Sequence, residues 1–212
     1  MQVIVLCNEL QKKELVANGV QQNVEIIWAT GIQELATYKN ANAIIDLLFE
    51  NVPDRIVQLE QLLPGLVIIN SVTDTLAEIN QNFVRIGAWP TFLQGSLVEA
   101  SCVQSDRKEK AEKVLKAFNK NIKWLPDEPG FVTPRVISAI INEAYFALAE
   151  GVSTMEEIDT ALKLGTAYPY GPFEWSREIG LQNISTLLHK LSSKQKRYTP
   201  AELLVQETDR SI

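Results

Sequence analysis

Strand-like and helix-like patterns alternate along the first part of the chain, and then the strands stop. Short apolar segments suited to strands occur at Gln2–Cys7, Glu25–Ala29, Ala43–Phe49, Leu66–Asn70, Phe83–Ala88, Leu97–Val103 and Ile122–Leu125. Helical patterns at Asn8–Asn18, Thr30–Lys39, Asp54–Leu63 and Ser105–Lys120 separate several of them. Such alternation favours a mostly parallel sheet covered by helices on both faces, because parallel neighbours must be joined by crossovers. After about Asp127 only helical patterns remain, at Pro134–Glu150, Thr154–Leu164, Phe173–Ile179, Ile184–Ser192 and Pro200–Thr208. The expected organisation is an α/β domain over residues 1–127 and an all-helical domain over residues 128–212, with no internal repeat.

Helix boundaries carry their own chemistry. Asn8 with Gln11 three residues on can cap the first helix, and Gly19 suits its far end. Thr30 with Gln33, and Ser153 with Glu156, have the spacing of capping boxes. Thr133-Pro134 and Thr199-Pro200 place a capping residue before a proline, which the first helical position tolerates. In the first late helix, Ile137, Ile140, Ile141, Ala144, Tyr145 and Leu148 form an apolar stripe at helical spacing, as a buried helix would.

The turn after the first strand matters most for function. In an α/β chain, backbone amides there approach a pyrophosphate, and glycines make the approach possible. Residues 2–10 read QVIVLCNEL, and no glycine occurs between Met1 and Gly19. Glu9 places a carboxylate in the first turn of the helix, where the dipole would otherwise favour the phosphate. The second strand ends in Trp28-Ala29-Thr30, without the acid that would hold a ribose. No cofactor is therefore expected at this turn.

A formal charge of −6 argues against a general nucleic-acid binder, which would carry a basic patch. No apolar run approaches the roughly 18 residues of a membrane span, and the N-terminus lacks the features of a signal peptide. The cytoplasm is the expected location. Cys7 and Cys102 lie in apolar strand-like segments and read as reduced core thiols. With a single histidine, His189, and two separated cysteines, a zinc site is not expected. The Lys/Glu run at 107–116 reads as a solvated helix face.

Residues 129–135 read PGFVTPR, and residues 142–175 read NEAYFALAEGVSTMEEIDTALKLGTAYPYGPFEW. This stretch resembles the C-terminal domain of the 3-hydroxyacyl-CoA dehydrogenase family, whose members read approximately PGF-x-x-NR, NEA…EGVAS-x-EDID-x-A and G-x-P-x-GPFEL. AIIDLLFEN at 43–51, SVTDTL at 71–76 and RIGAWPTFLQGSLVEAS at 85–101 are similar to segments of that family's first domain. The resemblance implies a Rossmann-like sheet followed by a helical domain of the kind found in 6-phosphogluconate dehydrogenase. It also implies a homodimer formed through the helical domain. Family members oxidise the 3-hydroxyl of an acyl-CoA and pass hydride to NAD. A histidine takes the proton, a glutamate orients it, and a serine and an asparagine hold the substrate oxygens.

Carried onto this sequence, the histidine position falls on Trp89, whose indole N–H donates a hydrogen bond but cannot act as a base. The serine position falls on Asp74 and Thr75, and the asparagine on Pro134. Only Glu99 keeps its family identity. His189 matches no family position. The interval between the second strand and NAIIDLLFE is too short for the helical arm that family members use to grip CoA.

Three readings follow. In the first, the chain is a catalytically degenerate member, a pseudoenzyme with a binding or regulatory role near acyl-CoA metabolism. In the second, it is an active NAD-dependent dehydrogenase with a rearranged site. In the third, it is a dimeric interaction module without a ligand. The missing glycines, Trp89 and Pro134 favour the first, with an acyl-CoA or a related small molecule as the ligand to test.

Overall fold

The computed structural model describes residues 1–210, and the chain divides into two compact units between Phe131 and Val132. The first contains strands β1 (Gln2–Leu6), β2 (Glu25–Ala29), β3 (Ala43–Asp46), β4 (Val67–Asn70), β5 (Val84–Ile86), β6 (Leu97–Ser101) and β7 (Asn121–Trp124). They form one sheet in the order β2-β1-β3-β4-β5-β6-β7. Every neighbouring pair is parallel except β5 and β6. The helices of this unit are α1 (Glu9–Val16), α2 (Ile32–Leu35), α3 (Pro53–Glu60) and α4 (Ser105–Lys116).

Strand periodicity divides the core in two. Val3 and Val5 of β1 join Leu15 of α1 and Val114 and Leu115 of α4 on one face. Ile4 and Leu6 join Leu35 of α2 and Leu59 of α3 on the other. Burial on both faces explains why β1, β3 and β4 read as continuous apolar runs rather than alternating ones.

The second unit holds α5 (Thr133–Ala149), α6 (Met155–Thr166), α7 (Pro172–Ile179), α8 (Leu181–Ser192) and α9 (Glu202–Arg210). α5 packs against α7, α8 and α9. Its stripe buries Ile137, Ile141, Ala144 and Tyr145, while Ile140 and Leu148 are partly covered. Asn142 bonds the Thr199 carbonyl at 2.9 Å and the Ala201 amide at 2.7 Å, fixing the segment that leads into α9.

Several helix ends differ from the sequence expectation. The box at Asn8 and Gln11 is present. The helix expected over Thr30–Lys39 is short and continues as a 3-10 turn at Ala36–Tyr38. There Thr30 is paired with Glu34, not Gln33, its amide and hydroxyl donating to one carboxylate oxygen at 2.8 and 3.0 Å. The Ser153–Glu156 box is likewise displaced by one residue. Thr154 is the cap, Glu157 is its partner, and the Ser153 hydroxyl donates to Glu157 at 2.6 Å. In both places one carboxylate oxygen accepts from two donors together. Thr133 is the first residue of α5 rather than its cap, and α9 starts beyond Thr199-Pro200.

Candidate functional site

Strand order reverses between β1 and β3, and outside the carboxyl ends of such strands a doubly wound sheet places its ligand. Here the opening is laced by amide side chains. The Gln11 amide N–H donates to Asn8 Oδ1 at 2.9 Å, and the Asn8 N–H donates to Gln11 Oε1 at 3.1 Å. Gln11 Nε2 then reaches across to the Leu47 carbonyl, just beyond β3, at 2.8 Å. Asn70, at the end of β4, donates to the same carbonyl at 3.2 Å. Gln11 is only 6% exposed, so this is an interior bridge.

A dinucleotide requires open amides at this helix start and bare backbone beneath the pyrophosphate. The residues present do not fit that group. Glu9, the carboxylate expected to stand in the phosphate position, instead has a side chain 94% exposed and lies 3.9 Å from Lys12. The obstruction is Gln11. At the end of β2, Trp28 packs on the core, and the Lys12 ammonium lies 5.0 Å from its ring centroid. The carboxylate of Glu34, one turn further on, is already tied to Thr30.

The remaining positions of the resemblance fall as follows. Trp89 is buried just past β5, its ring centroid 6.1 Å from that of Phe92. Glu99 lies on β6, and its carbonyl accepts the Gly87 N–H at 2.9 Å, which brings its backbone beside the segment leading to Trp89. Asp74 and Thr75 share the loop after β4. Asp74 accepts from Asn51 at 3.1 Å. The Thr75 amide and hydroxyl both donate to Glu78, at 2.8 and 2.9 Å. Pro134 belongs to the other unit, in the first turn of α5. Trp89, Glu99, Asp74 and Thr75 thus sit on β4, β5, β6 and their loops, without a titratable base at the Trp89 position.

The loop after Trp89 is anchored from below. The Thr91 amide donates to the buried carboxylate of Glu14 at 2.8 Å. The Lys120 ammonium is wrapped by the carbonyls of Leu93 and Gly95 and by Asn18 Oδ1. Burial lowers the Lys120 pKa, and the nearby Glu14 charge opposes that shift.

A second buried cation was not singled out from the sequence. Arg85 on β5 is fully buried, and its guanidinium donates to Asp127 at 2.9 Å and to the carbonyls of Ser71 and Glu128 at 3.0 and 2.9 Å. It also lies 4.0 Å from the Phe131 ring centroid. Its sequence signal was a charge inside the apolar run Phe83–Ala88. It fixes the segment carrying the PGF motif. Phe131 in turn covers Gly87, where a Cβ would meet its ring at 3.1 Å.

Other reactive groups gather no chemistry. Both cysteines are free thiols, and burial pushes Cys7 up to about 11 and raises Cys102 as well. His189 is exposed near the end of α8. Among the described residues no cluster of three or more His, Cys, Asp or Glu side chains could hold a metal, and no helix is long and apolar enough to cross a membrane.

In the helical unit, the residues of the long motif mostly hold helices together. Asp159 accepts the Phe173 and Glu174 amides at 2.8 and 3.2 Å, capping α7, while Glu174 accepts the Gly171 amide at 2.9 Å and pairs with Lys163. Residues 130–210 match the sequence profile of the 3-hydroxyacyl-CoA dehydrogenase C-terminal domain. Residues 130–210 thus carry a domain of the 3-hydroxyacyl-CoA dehydrogenase C-terminal type. The chain is 39% identical over 112 residues to the 3-hydroxyadipyl-CoA dehydrogenase of Escherichia coli, a match covering 51% of this chain and 24% of that protein. A 3-hydroxybutyryl-CoA dehydrogenase of Bradyrhizobium diazoefficiens is 34% identical over 100 residues, covering 46% of this chain and 34% of its own length. The matches thus span about a quarter to a third of these dehydrogenases. The fold is that of the (S)-3-hydroxybutyryl-CoA dehydrogenase of Ralstonia eutropha, with a TM-score of 0.76 at 19% identity over 99% of this chain and 94% of that one.

Proposed function

We propose that the chain is a catalytically degenerate 3-hydroxyacyl-CoA dehydrogenase-like protein that acts by binding or regulation near acyl-CoA metabolism. One observation carries this reading: the Gln11 bridge from the first turn of α1 to the Leu47 carbonyl, which occupies the opening a dinucleotide needs. Trp89 supports it, because an indole cannot take a proton from a hydroxyl. So does Pro134, which offers no side-chain hydrogen bond. On this reading the chain binds an acyl-CoA or related small molecule without hydride transfer. Two free thiols agree with a cytoplasmic protein.

The reading includes a homodimer through the helical unit. A groove of about 480 Å³ between α5 and α6, lined by Ile140, Ala144, Ala147, Ile158 and Leu162, supports it as an apolar surface that association would cover. The test is a titration of the full chain with acetoacetyl-CoA, followed by tryptophan fluorescence and then assayed with NADH. Binding of the acyl-CoA without NADH oxidation is expected. Turnover above a heat-killed control would establish the rearranged active enzyme instead, and absence of any binding would favour the interaction module. Light scattering of the native chain and an Ile140→Lys variant tests the dimer.

A further inference from the structure

One end of the sheet is β7, which pairs with β6 alone. The Asn121 amide donates to the Ser96 carbonyl at 2.7 Å, and the Leu125 amide to the Ala100 carbonyl at 2.9 Å. Alternate residues of a strand turn their backbone groups to opposite sides, so Ile122 and Trp124 turn theirs to the free edge. A groove of about 380 Å³ lies beside this edge, lined by Glu112, Lys113 and Lys116 of α4 and by Lys120, Asn121 and Ile122. Ile122 and Trp124 pack on the core shared with α4, so Asn121 and Lys123 project from the other face of the strand.

Positive charge collects here. Residues 105–124, from the start of α4 to the end of β7, hold seven basic and three acidic side chains in a chain of formal charge −6. Arg107 and Lys120 are buried and donate to backbone carbonyls, Arg107 to that of Gly65 at 3.0 Å. Lys113, Lys116 and Lys123 are exposed. Among the described residues Lys113 and Lys123 join no ion pair, and Lys116 bonds the neutral Asn121 side chain at 3.2 Å. Glu112, the acid lining the groove, accepts the Trp124 indole N–H at 2.6 Å.

Two features together select an occupant. Open N–H and C=O groups at a sheet edge accept a further strand, whatever its sequence. Lysines on both faces of that edge favour carboxylates on the strand that binds. A second β7 brought edge to edge would set lysine against lysine, which disfavours another copy of this chain. We propose that the β7 edge docks an extended acidic segment of a partner protein, added as a further strand with its carboxylates on Lys113, Lys116 and Lys123. The surface shares no residue with the opening at β1 and β3 and stands whatever that opening binds.

The test is fluorescence anisotropy of the full chain with a fluorescein-labelled octapeptide of alternating glutamate and valine. The controls are a lysine-valine octapeptide, a thymidine octanucleotide, and two glutamate-valine peptides, one N-methylated at its glutamates and one at its valines. Saturable binding of the plain acidic peptide is expected below about 1 mM. It should weaken by about tenfold or more in Lys123→Glu and in a Lys113→Glu, Lys116→Glu double variant, with circular dichroism checking that each is folded. The lysine-valine peptide should bind about tenfold more weakly or worse. At least one N-methylated peptide should lose binding, because one set of amides must face Ile122 and Trp124. The proposal is overturned if the acidic peptide does not bind, or if its binding survives the lysine substitutions. Undiminished binding of both N-methylated peptides would reduce the contact to charge attraction, and tighter binding of the oligonucleotide would assign the face to nucleic acid. Either result also overturns the proposal. So does self-association of the native chain that Lys123→Glu abolishes, which would give the edge to a second copy.

Discussion

Asp159 Oδ1 on α6 accepts the Phe173 amide of α7 at 2.8 Å, so one helix supplies the cap of the next. Gly171 is required beside it, since a Cβ there would lie 2.3 Å from Asp159 Oδ1 and 2.5 Å from its Cα. Asp159→Ala should cost about 2 kcal/mol, the upper range for loss of a helix cap. Gly171→Ala should cost more, because backbone as well as side chain must shift. Urea denaturation of the two variants checks both values and their order.

Arg85 should be the most sensitive charged position of the first unit. Arg85→Ala removes the cation paired with Asp127 and frees the carbonyls of Ser71 and Glu128. Breaking a buried pair of this kind costs about 3–5 kcal/mol. Arg85→Lys should recover only part of that, since a single ammonium cannot reproduce the planar fork. Chemical denaturation of both variants separates charge from geometry.

The two layers of this fold were legible in the sequence for different reasons. β1, β3 and β4 announced themselves because both of their faces are buried, and α5 because Ile137, Ile141 and Tyr145 recur at helical spacing. The second half of the family motif was legible because Asp159, Gly171 and Glu174 are joined by short-range bonds between α6 and α7, which require these residue types at fixed positions. Gln11 was visible as a capping residue, but its bond to Leu47 spans 36 positions and leaves no local pattern. Arg85 was hidden for the same reason, since its partners Asp127 and Glu128 lie more than forty positions away. The pairing expected for Thr30 moved from Gln33 to the carboxylate of Glu34, and the box expected at Ser153 and Glu156 moved by one residue because α6 starts one residue later, with Thr154 as its cap.

Glu174 gives the helical unit an acid-sensitive contact. Its bond with Lys163, and then the Gly171 amide, hold its carboxyl below the ordinary value of 4.5. The unfolded chain therefore takes up the proton more readily than the folded one. The contribution is present above 4.5 and is lost as pH falls through the lowered value. Urea unfolding at about pH 6 and about pH 3 should show a smaller acid loss in Glu174→Gln than in the native chain. Equal losses would remove Glu174 from the account.

Cys7 should resist alkylation. With its pKa pushed up to about 11 by burial, the reactive thiolate is scarce at neutral pH. In a Cys102→Ala background, the iodoacetamide rate should be lower than that of free cysteine by about two orders of magnitude. It should keep rising with pH toward about 11. A rate that levels near 9.0, the ordinary value, would show an unburied thiol.

The central claim is that side chains have taken the place of the dinucleotide, and the most direct measurement is NADH binding by the full chain. The titration should follow NADH fluorescence with and without saturating acetoacetyl-CoA, using an active dehydrogenase of the family as the positive control. Closure of the opening by Gln11 and Leu47 predicts no saturable NADH signal in either condition, and no NADH oxidation. Saturable NADH binding accompanied by acetoacetyl-CoA-dependent oxidation would contradict the account.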